Sequence, residues 1–307
     1  MIAKLASPEQ HHGGPHDGRD RVVIQRNPTS GSGRGAKHIL TLIQCLKAMD
    51  YKVSLFANRD RLDNFVRHPD NAARIACLVA AGGDGTIASL ANRHSQFAIA
   101  TLPLGTENLV AKHLRIPRCG RTVAEVIQQN NTAMFDTAFV NDQRFLLMAS
   151  AGVDAEVVRR FSAARTGNIS HASYVWPIVT SFKSYGFPAI EVCDTNDNVL
   201  ATGSHVIVTN IPQYGFRMPF CPASNPHDGQ LDVRVFRVAG SFATMVHGVR
   251  TRLGFSDRRT DVTRFLQTEV RLRSTVANVP VQCDGDPATN CPVTIKVAPK
   301  SMKLVTR

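Results

Sequence analysis

Long apolar runs are missing from this sequence of 307 residues. No stretch approaches the ~18 consecutive apolar residues of a spanning helix, so no membrane-crossing helix is expected. Patterned cysteine is missing too. The seven cysteines are an odd number without a C-x-x-C pair, which argues against a disulfide framework and against a zinc site. Cys283 and Cys291 are the one close couple and read as ordinary reduced thiols, so a cytoplasmic location is the default expectation. The opening residues lack the apolar middle region of a secretory signal. Residues 1–20 read instead as a disordered polar leader in which His11, His12 and His16 mark a flexible tail. Acidic residues are few beside basic ones, 24 Asp and Glu against 36 Lys and Arg, which leaves a formal charge of +12. Arg250, Arg252, Arg258, Arg259, Arg264, Arg271 and Arg273 fall in one late segment. Such a cluster suits nucleic acid, anionic lipid headgroups, phosphorylated substrates or a merely solvated face. Aromatic interleaving of the RNA-binding kind is absent there, with only Phe255 and Phe265, so no specific nucleic-acid partner is expected.

What is present is an alternation of strands and helices. Val22–Gln25, Lys52–Phe56, Ala76–Ala80 and Phe97–Leu102 read as strands. Between them lie helical patterns: Ile39, Leu42, Ile43 and Leu46 on one face, Asp60–His68, a helix beginning at Ile87–Asn92, and then Thr122–Gln129. That order predicts an open parallel sheet covered on both faces. After Asp136 the texture changes. Phe139–Val140, Phe145–Ala149, Ala189–Cys193, His205–Thr209, Leu231–Phe236 and Thr268–Leu272 read as strands between Gly, Asn, Asp and Pro turns, with helices around Ser173–Ser184 and Phe242–Leu253. The expected fold class is an N-terminal α/β domain over residues 21–136, followed by a mostly antiparallel β-sandwich domain.

Three polar, glycine-containing loops follow parallel strands one, three and four, and in a parallel sheet all three emerge on one edge. The first is Asn27-Pro28-Thr29-Ser30-Gly31-Ser32-Gly33. The second is Gly82-Gly83-Asp84-Gly85-Thr86, and the third is Leu102-Pro103-Leu104-Gly105-Thr106-Glu107-Asn108. Glycines let backbone N–H groups approach a phosphate, and the helix start beyond Thr86 adds partial positive charge. Asp84 would repel a bare phosphate, so it works through Mg²⁺, orients an acceptor, or caps the helix. Gly31, Gly33 and Ala36 fit the dinucleotide spacing, but strand two ends in Phe56-Ala57-Asn58 without a ribose-binding acid, which rejects a dehydrogenase. The Walker pattern G-x-x-x-x-G-K-[ST] is absent as well.

These loops resemble those of the diacylglycerol kinase catalytic-domain family, which includes bacterial lipid kinases and sphingosine kinases. The likeness continues through Ala149-Ser150-Ala151-Gly152-Val153-Asp154-Ala155, His227-Asp228-Gly229-Gln230-Leu231-Asp232-Val233 and Cys283-Asp284-Gly285-Asp286. It spans roughly Arg21 to the C-terminus, with the motifs in order. The resemblance implies a β-rich domain over 137–298 carrying catalytic acids, an active cleft between the domains, and a last strand in 299–307 returning to the first domain. It implies ATP and Mg²⁺ as cofactors. Asn27, Pro28, Thr29, Ser30, Gly31, Gly82, Gly83, Asp84, Gly85, Thr86, Ile87, Ala88 and Thr106 would hold the nucleotide. Asp284 and Asp286 would supply the base, with Asp84 assisting, and Asp228 with the carbonyls of Asn225 and Gln230 would match a structural Mg²⁺ site. On residue chemistry alone, Asp-Gly-Asp is equally a turn or a weak cation loop.

Three positions depart from the family pattern: Glu107 replaces a glycine beside the presumed triphosphate, Ala57 stands where threonine is usual, and Asp286 replaces a glutamate. The reading that follows is an ATP-dependent lipid kinase acting peripherally at an anionic membrane surface. Tyr174, Trp176, Phe182, Tyr185 and Phe187 are candidates for acyl contact or for core packing. A homodimer is compatible with the sequence. An NAD kinase-like enzyme, sharing Gly-Gly-Asp-Gly-Thr, and a catalytically silent nucleotide- or lipid-binding regulator are the alternatives.

Overall fold

The computed structural model describes residues 15, 18–28, 30, 35–163, 185–212, 221, 223–237 and 261–307. In chain order the first half runs β1 (Arg21–Arg26), α1 (Ala36–Ala48), β2 (Lys52–Phe56), α2 (Arg59–Arg67), α3 (Pro69–Ala72), β3 (Ile75–Gly82), α4 (Asp84–His94), β4 (Ile99–Pro103), α5 (Leu109–His113) and α6 (Gly120–Gln129). The second half runs β5 (Thr132–Val140), β6 (Gln143–Phe145), β7 (Met148–Gly152), α7 (Val153–Ala163), β8 (Ile190–Cys193), β9 (Val199–Gly203), β10 (His205–Thr209), β11 (Leu231–Phe236), β12 (Val262–Gln267), β13 (Glu269–Arg273), β14 (Pro280–Cys283), β15 (Asp286–Asn290) and β16 (Val293–Val305).

β3 is a nearly unbroken apolar run, as a central parallel strand covered on both faces must be. It pairs in parallel with β1 on one side and β4 on the other, and β2 lies outside β1. One face is covered by α1 and α6, whose Ile39, Leu42, Val123 and Ile127 pack with Val79 and Leu102. The other is covered by α2 and α4, whose Leu62, Val66, Ile87 and Leu90 pack with Val23 and Leu78. The first helix pair touches where Gly120 meets α1. A Cβ at Gly120 would lie 2.2 Å from the His38 carbonyl oxygen and 2.6 Å from the Leu42 nitrogen. Backbone atoms cannot give way there, so Gly120→Ala is expected to cost about 1–3 kcal/mol of stability. Denaturant melts would show it as a lower midpoint with an unchanged m value.

The second half is a sandwich. An antiparallel sheet ordered β12-β11-β10-β7-β14-β15 packs Val206, Val208, Val233 and Val281 against Ile190, Val270 and Ile295 of the facing strands. Those facing strands, β9, β8, β13 and the first part of β16, belong to the same sheet as β1–β4, because the end of β16 reaches β4. Along its early residues β16 pairs with β13, and near its end Leu304 pairs in parallel with Ile99 of β4. β5 runs antiparallel beside it on both sides of an irregularity between Ala298 and Met302, so β5 and β16 form a ribbon common to both halves. Asp136 lies inside β5, buried, with no linker around it.

Several element boundaries differ from the sequence expectation. The helix after β3 begins at Asp84, three residues before Ile87, because Gly83 caps it and the turn from strand to helix is that short. The small-residue segment ending at Asp154 divides into β7 and an unforeseen helix, α7, while α5 was also unforeseen. The helices expected at 173–184 and 242–253 lie outside the described residues, as do Tyr174, Trp176 and Phe182. Tyr185 and Phe187 pack edge to face at 5.4 Å, with the Tyr185 hydroxyl buried. Of the late arginines, three are described and all three sit in ion pairs: Arg264 with Asp232, Arg271 with Asp197, and Arg273 with Glu191. Among the described residues, no helix is long and apolar enough to cross a membrane.

Candidate active site

Three strand ends meet at one edge of the parallel sheet. β1 gives way to Asn27, whose N–H donates to the Ala81 carbonyl at 3.1 Å. β3 ends at Gly82, where an added Cβ would lie 2.2 Å from Thr86 Oγ1 and 3.3 Å from Asn27 Cβ. The Gly82 carbonyl accepts the N–H groups of Leu104 and Gly105, at 2.8 and 3.2 Å, tying the second loop to the third. Gly83 and Gly105 then touch backbone to backbone: a Cβ on Gly105 would come within 2.6 Å of Gly83 Cα. Asn108 adopts the left-handed conformation that asparagine tolerates, and its amide closes on the Gly105 N–H and carbonyl at 2.9 and 2.7 Å. From outside, Arg118 donates to the carbonyls of Pro103 and Gly105 at 2.8 and 2.7 Å.

Asp84 secures the same junction. Its two oxygens accept the N–H groups of Leu109 and Val110, at 2.9 and 3.0 Å, so it caps the neighbouring helix α5 rather than its own. Burial pushes its pKa up; the two N–H bonds and the Lys112 charge pull it back, and the Glu107 charge adds to the rise. Glu107 itself pairs with Lys112 at 3.3 Å. Thr106 is exposed at the loop tip, Pro28 is exposed, and the Ser30 N–H donates to the Asn27 carbonyl at 3.2 Å. Ile87 is buried and Ala88 half-buried in α4, while Thr29 and Gly31 lie outside the described residues. Gly85 has no protein atom within 4 Å of an added Cβ. The N-terminus of α4 and the side-chain-free backbone at Gly83 and Gly85 form a cradle of the kind that suits phosphate, while the Gly105 N–H is already taken by Gly82 and Asn108.

Asp284 comes from the other half. Cys283 pairs with Asp286 across the β14–β15 hairpin, leaving Asp284 and Gly285 as a two-residue turn with φ of 51° and 87°. Both values are positive, as a type I′ turn requires, and Asp-Gly is a preferred sequence for it. The Asp284 carboxylate accepts three backbone N–H groups in the bend between β6 and β7. Leu146 bonds Oδ2 at 2.7 Å, and Leu147 and Met148 bond Oδ1 at 2.8 and 3.0 Å. Oδ2 thus carries one bond where Oδ1 carries two. Burial pushes the Asp284 pKa up to about 6 against those three bonds, and the Asp84 charge adds to the rise. The charge of Asp84 in one half is thus felt by Asp284 in the other. Asp286 is exposed at the start of β15.

The loop before β11 is a separate cluster. Asn225 and Asp228 are exposed, and Asp228 Oδ1 accepts the Gln230 N–H at 2.9 Å. Buried Asp136 holds this loop, accepting the N–H groups of Gly229 and Lys300, each at 2.7 Å. Among the described residues no group of three or more His, Cys, Asp and Glu could hold a metal ion. An ion at this loop would rest on one carboxylate, Asp228, and otherwise on main-chain oxygens.

The diacylglycerol kinase catalytic domain model matches residues 21–140, and the YegS C-terminal NAD kinase beta sandwich-like domain model matches residues 148–306, more than half of the chain. The chain belongs to this family. A Pseudomonas putida (strain KT2440) protein named "Probable lipid kinase YegS-like" is 30% identical over 200 residues, 59% of this chain and 65% of that protein. The chain thus spans just under two thirds of that relative's length. The diacylglycerol kinase of Bacillus subtilis (strain 168) is 26% identical over 227 residues, covering 71% of this chain and 74% of that one. The crystal structure of a diacylglycerol kinase from Bacillus anthracis str. Sterne matches with a TM-score of 0.70 at 20% identity, over 94% of this chain and 97% of that chain. That likeness is one of fold.

Within the family frame, Arg118 and Asp136 escaped the sequence reading as residues that hold the site, and Asn108 was read only as the end of the third loop. Arg118 and Asp136 bind main-chain groups far away in sequence and sit in no motif. Asn108 had a local signal, since asparagine after a Gly-Thr turn favours the left-handed conformation.

Proposed function

We propose that this chain transfers the terminal phosphate of ATP to a hydroxyl of diacylglycerol or a related lipid. The observation that carries the reading is Asp284: a half-buried carboxylate with one less-occupied oxygen and a pKa raised to about 6, set against the Asp84 loop of the nucleotide edge. Phosphoryl transfer needs alignment, charge neutralisation and a base beside the attacking hydroxyl. The backbone donors of Gly82–Thr86 and the N-terminus of α4 would hold the triphosphate. Mg²⁺ bound with ATP would supply the neutralising charge. Asp284 Oδ2 takes the proton from the acceptor hydroxyl as its oxygen bonds the terminal phosphorus, the bridging P–O bond breaks, and ADP departs. Asp84, bound to two N–H groups, keeps the second and third loops in register, and Asp286 sits at the rim. In this reading residues 21–136 bind ATP, 137–298 carry the base and acceptor site, and 299–307 return to the first sheet. A lipid acceptor brings the protein to a membrane surface peripherally.

The test is purified protein with labelled ATP, Mg²⁺ and a mixed lipid extract, and NAD in a parallel tube. Label in the organic phase is the expected result. Label in NADP would replace the reading with NAD phosphorylation, and label in neither tube despite ATP binding would make the chain a regulator.

A further inference from the structure

Gln282, on β14, is buried at 2% exposure and uses its amide at both ends. Oε1 accepts the Gly285 N–H at 2.9 Å. Nε2 donates to Ser150 Oγ at 2.9 Å and lies 3.3 Å from Asp154 Oδ2. Ser150 Oγ in turn donates to the same Asp154 oxygen at 2.5 Å. The orientation of the amide is forced, because the Gly285 N–H can only donate and so must face Oε1. A continuous line of bonds therefore runs from the first turn of α7, through β7 and β14, to the hairpin that bears Asp284.

The bond to Gly285 falls on a particular peptide. In a two-residue hairpin turn, types I′ and II′ interconvert by flipping the peptide between the two central residues, here Asp284 and Gly285. Gly285 is exposed, and an added Cβ there would have no neighbour within 4 Å, so side-chain packing does not oppose the flip. Its N–H is held by Gln282. A flip of that peptide alone leaves Asp284 Cα and Cβ in place, but fraying of the turn changes the φ of Asp284 from 51° and moves its carboxylate relative to the Leu146–Met148 N–H groups.

We propose that Gln282, itself oriented by Ser150 and Asp154, is a positioning residue that locks the Asp284–Gly285 peptide and so keeps Asp284 Oδ2 aimed at the acceptor hydroxyl. The catalytic part of this inference rests on the phosphotransferase reading above.

Two variants of the full chain test it. Gln282→Leu removes both ends of the bridge. Its kcat is expected to fall about 10–100-fold, as for other residues that orient a reacting group, with the KM for ATP unchanged within about twofold. Hydrogen exchange at the Gly285 amide should accelerate. Gln282→Glu keeps an acceptor for Gly285 but sets a carboxylate against Asp154; once protonated, it donates to Asp154 and restores the original pattern. The ratio of Gln282→Glu to wild-type kcat should therefore rise as the pH falls from about 8 to about 6. The added charge raises the Asp284 pKa further, which alone would make the ratio fall as the pH falls, so a rise reports the restored donor. An undiminished kcat in Gln282→Leu, a loss of ATP affinity parallel to the loss of kcat, or a flat ratio would each overturn the positioning role. Should the wild type phosphorylate no lipid, the kinase reading fails separately, and unchanged Gly285 exchange in Gln282→Leu would still refute the lock.

Discussion

Asp284→Ala is expected to lower lipid phosphorylation by about 10²–10⁴-fold, the usual contribution of a positioned general base, while ATP binding persists. The variant also strands the N–H groups of Leu146, Leu147 and Met148, each a partner of the lost carboxylate. Unpaired buried donors cost roughly 1–3 kcal/mol each, so a lower melting temperature accompanies the loss of rate. Asp284→Asn separates the two effects: it keeps the shape and one accepting oxygen, so stability recovers in part while the rate does not. The pH profile carries the sign. Burial raises the Asp284 pKa to about 6, so the wild-type base is ionised above that pH and is protonated below it. Activity should fall about tenfold per pH unit on the acid side of 6, and Asp284→Asn should lack that limb. Equal acid limbs in the two proteins, or wild-type turnover in Asp284→Asn, would remove Asp284 as the base.

Gly105→Ala is expected to cripple nucleotide binding and stability together, whereas Gly85→Ala should affect binding alone. At Gly105 the new methyl meets Gly83 Cα at 2.6 Å and the Gly83 nitrogen at 3.2 Å, so the second and third loops must part. Overpacking against backbone costs about 1–3 kcal/mol, and the parted loops should weaken ATP binding by about tenfold or more. At Gly85 no protein atom objects, and alanine is worth about 0.5–1 kcal/mol over glycine within a helix. Only a ligand close to the N-terminus of α4 would exclude that methyl. Calorimetric titration with an ATP analogue, beside thermal melts, reads both variants. Unimpaired ATP binding in Gly85→Ala would move the phosphates away from this helix.

The sequence disclosed the scaffold wherever side-chain periodicity is strong. The apolar run of β3, the matching bounds of β2 and β10, and the one-sided face of α1 were all readable. It misplaced the start of α4 because Asp-Gly-Thr carries no apolar repeat, though Gly83 before it is an adequate cap. It missed α7, where small residues flow from strand into helix and the buried face includes Glu156, held by Arg159 and Arg160. The glycine loops and the Asp284 segment were legible as motifs. Their purpose as joints was not. The bonds from Asp84 to Leu109 and Val110, from Asp284 to Leu146, and from Asp136 to Lys300 join groups far apart in sequence. Side chain to main chain bonds of that kind leave no pattern in the donor segment, since every residue but proline offers an N–H.

The ribbon of β5 and β16 has a consequence for how the chain folds. The sheet begun by the first hundred residues is continued across β4 by a strand made from the final ones, Leu304 beside Ile99. During synthesis the nascent first half therefore waits with β4 unpaired on that side until Leu304 has been made. Contacts of such long sequence separation slow folding, with the apolar edge of Ile99–Pro103 open to chaperones meanwhile.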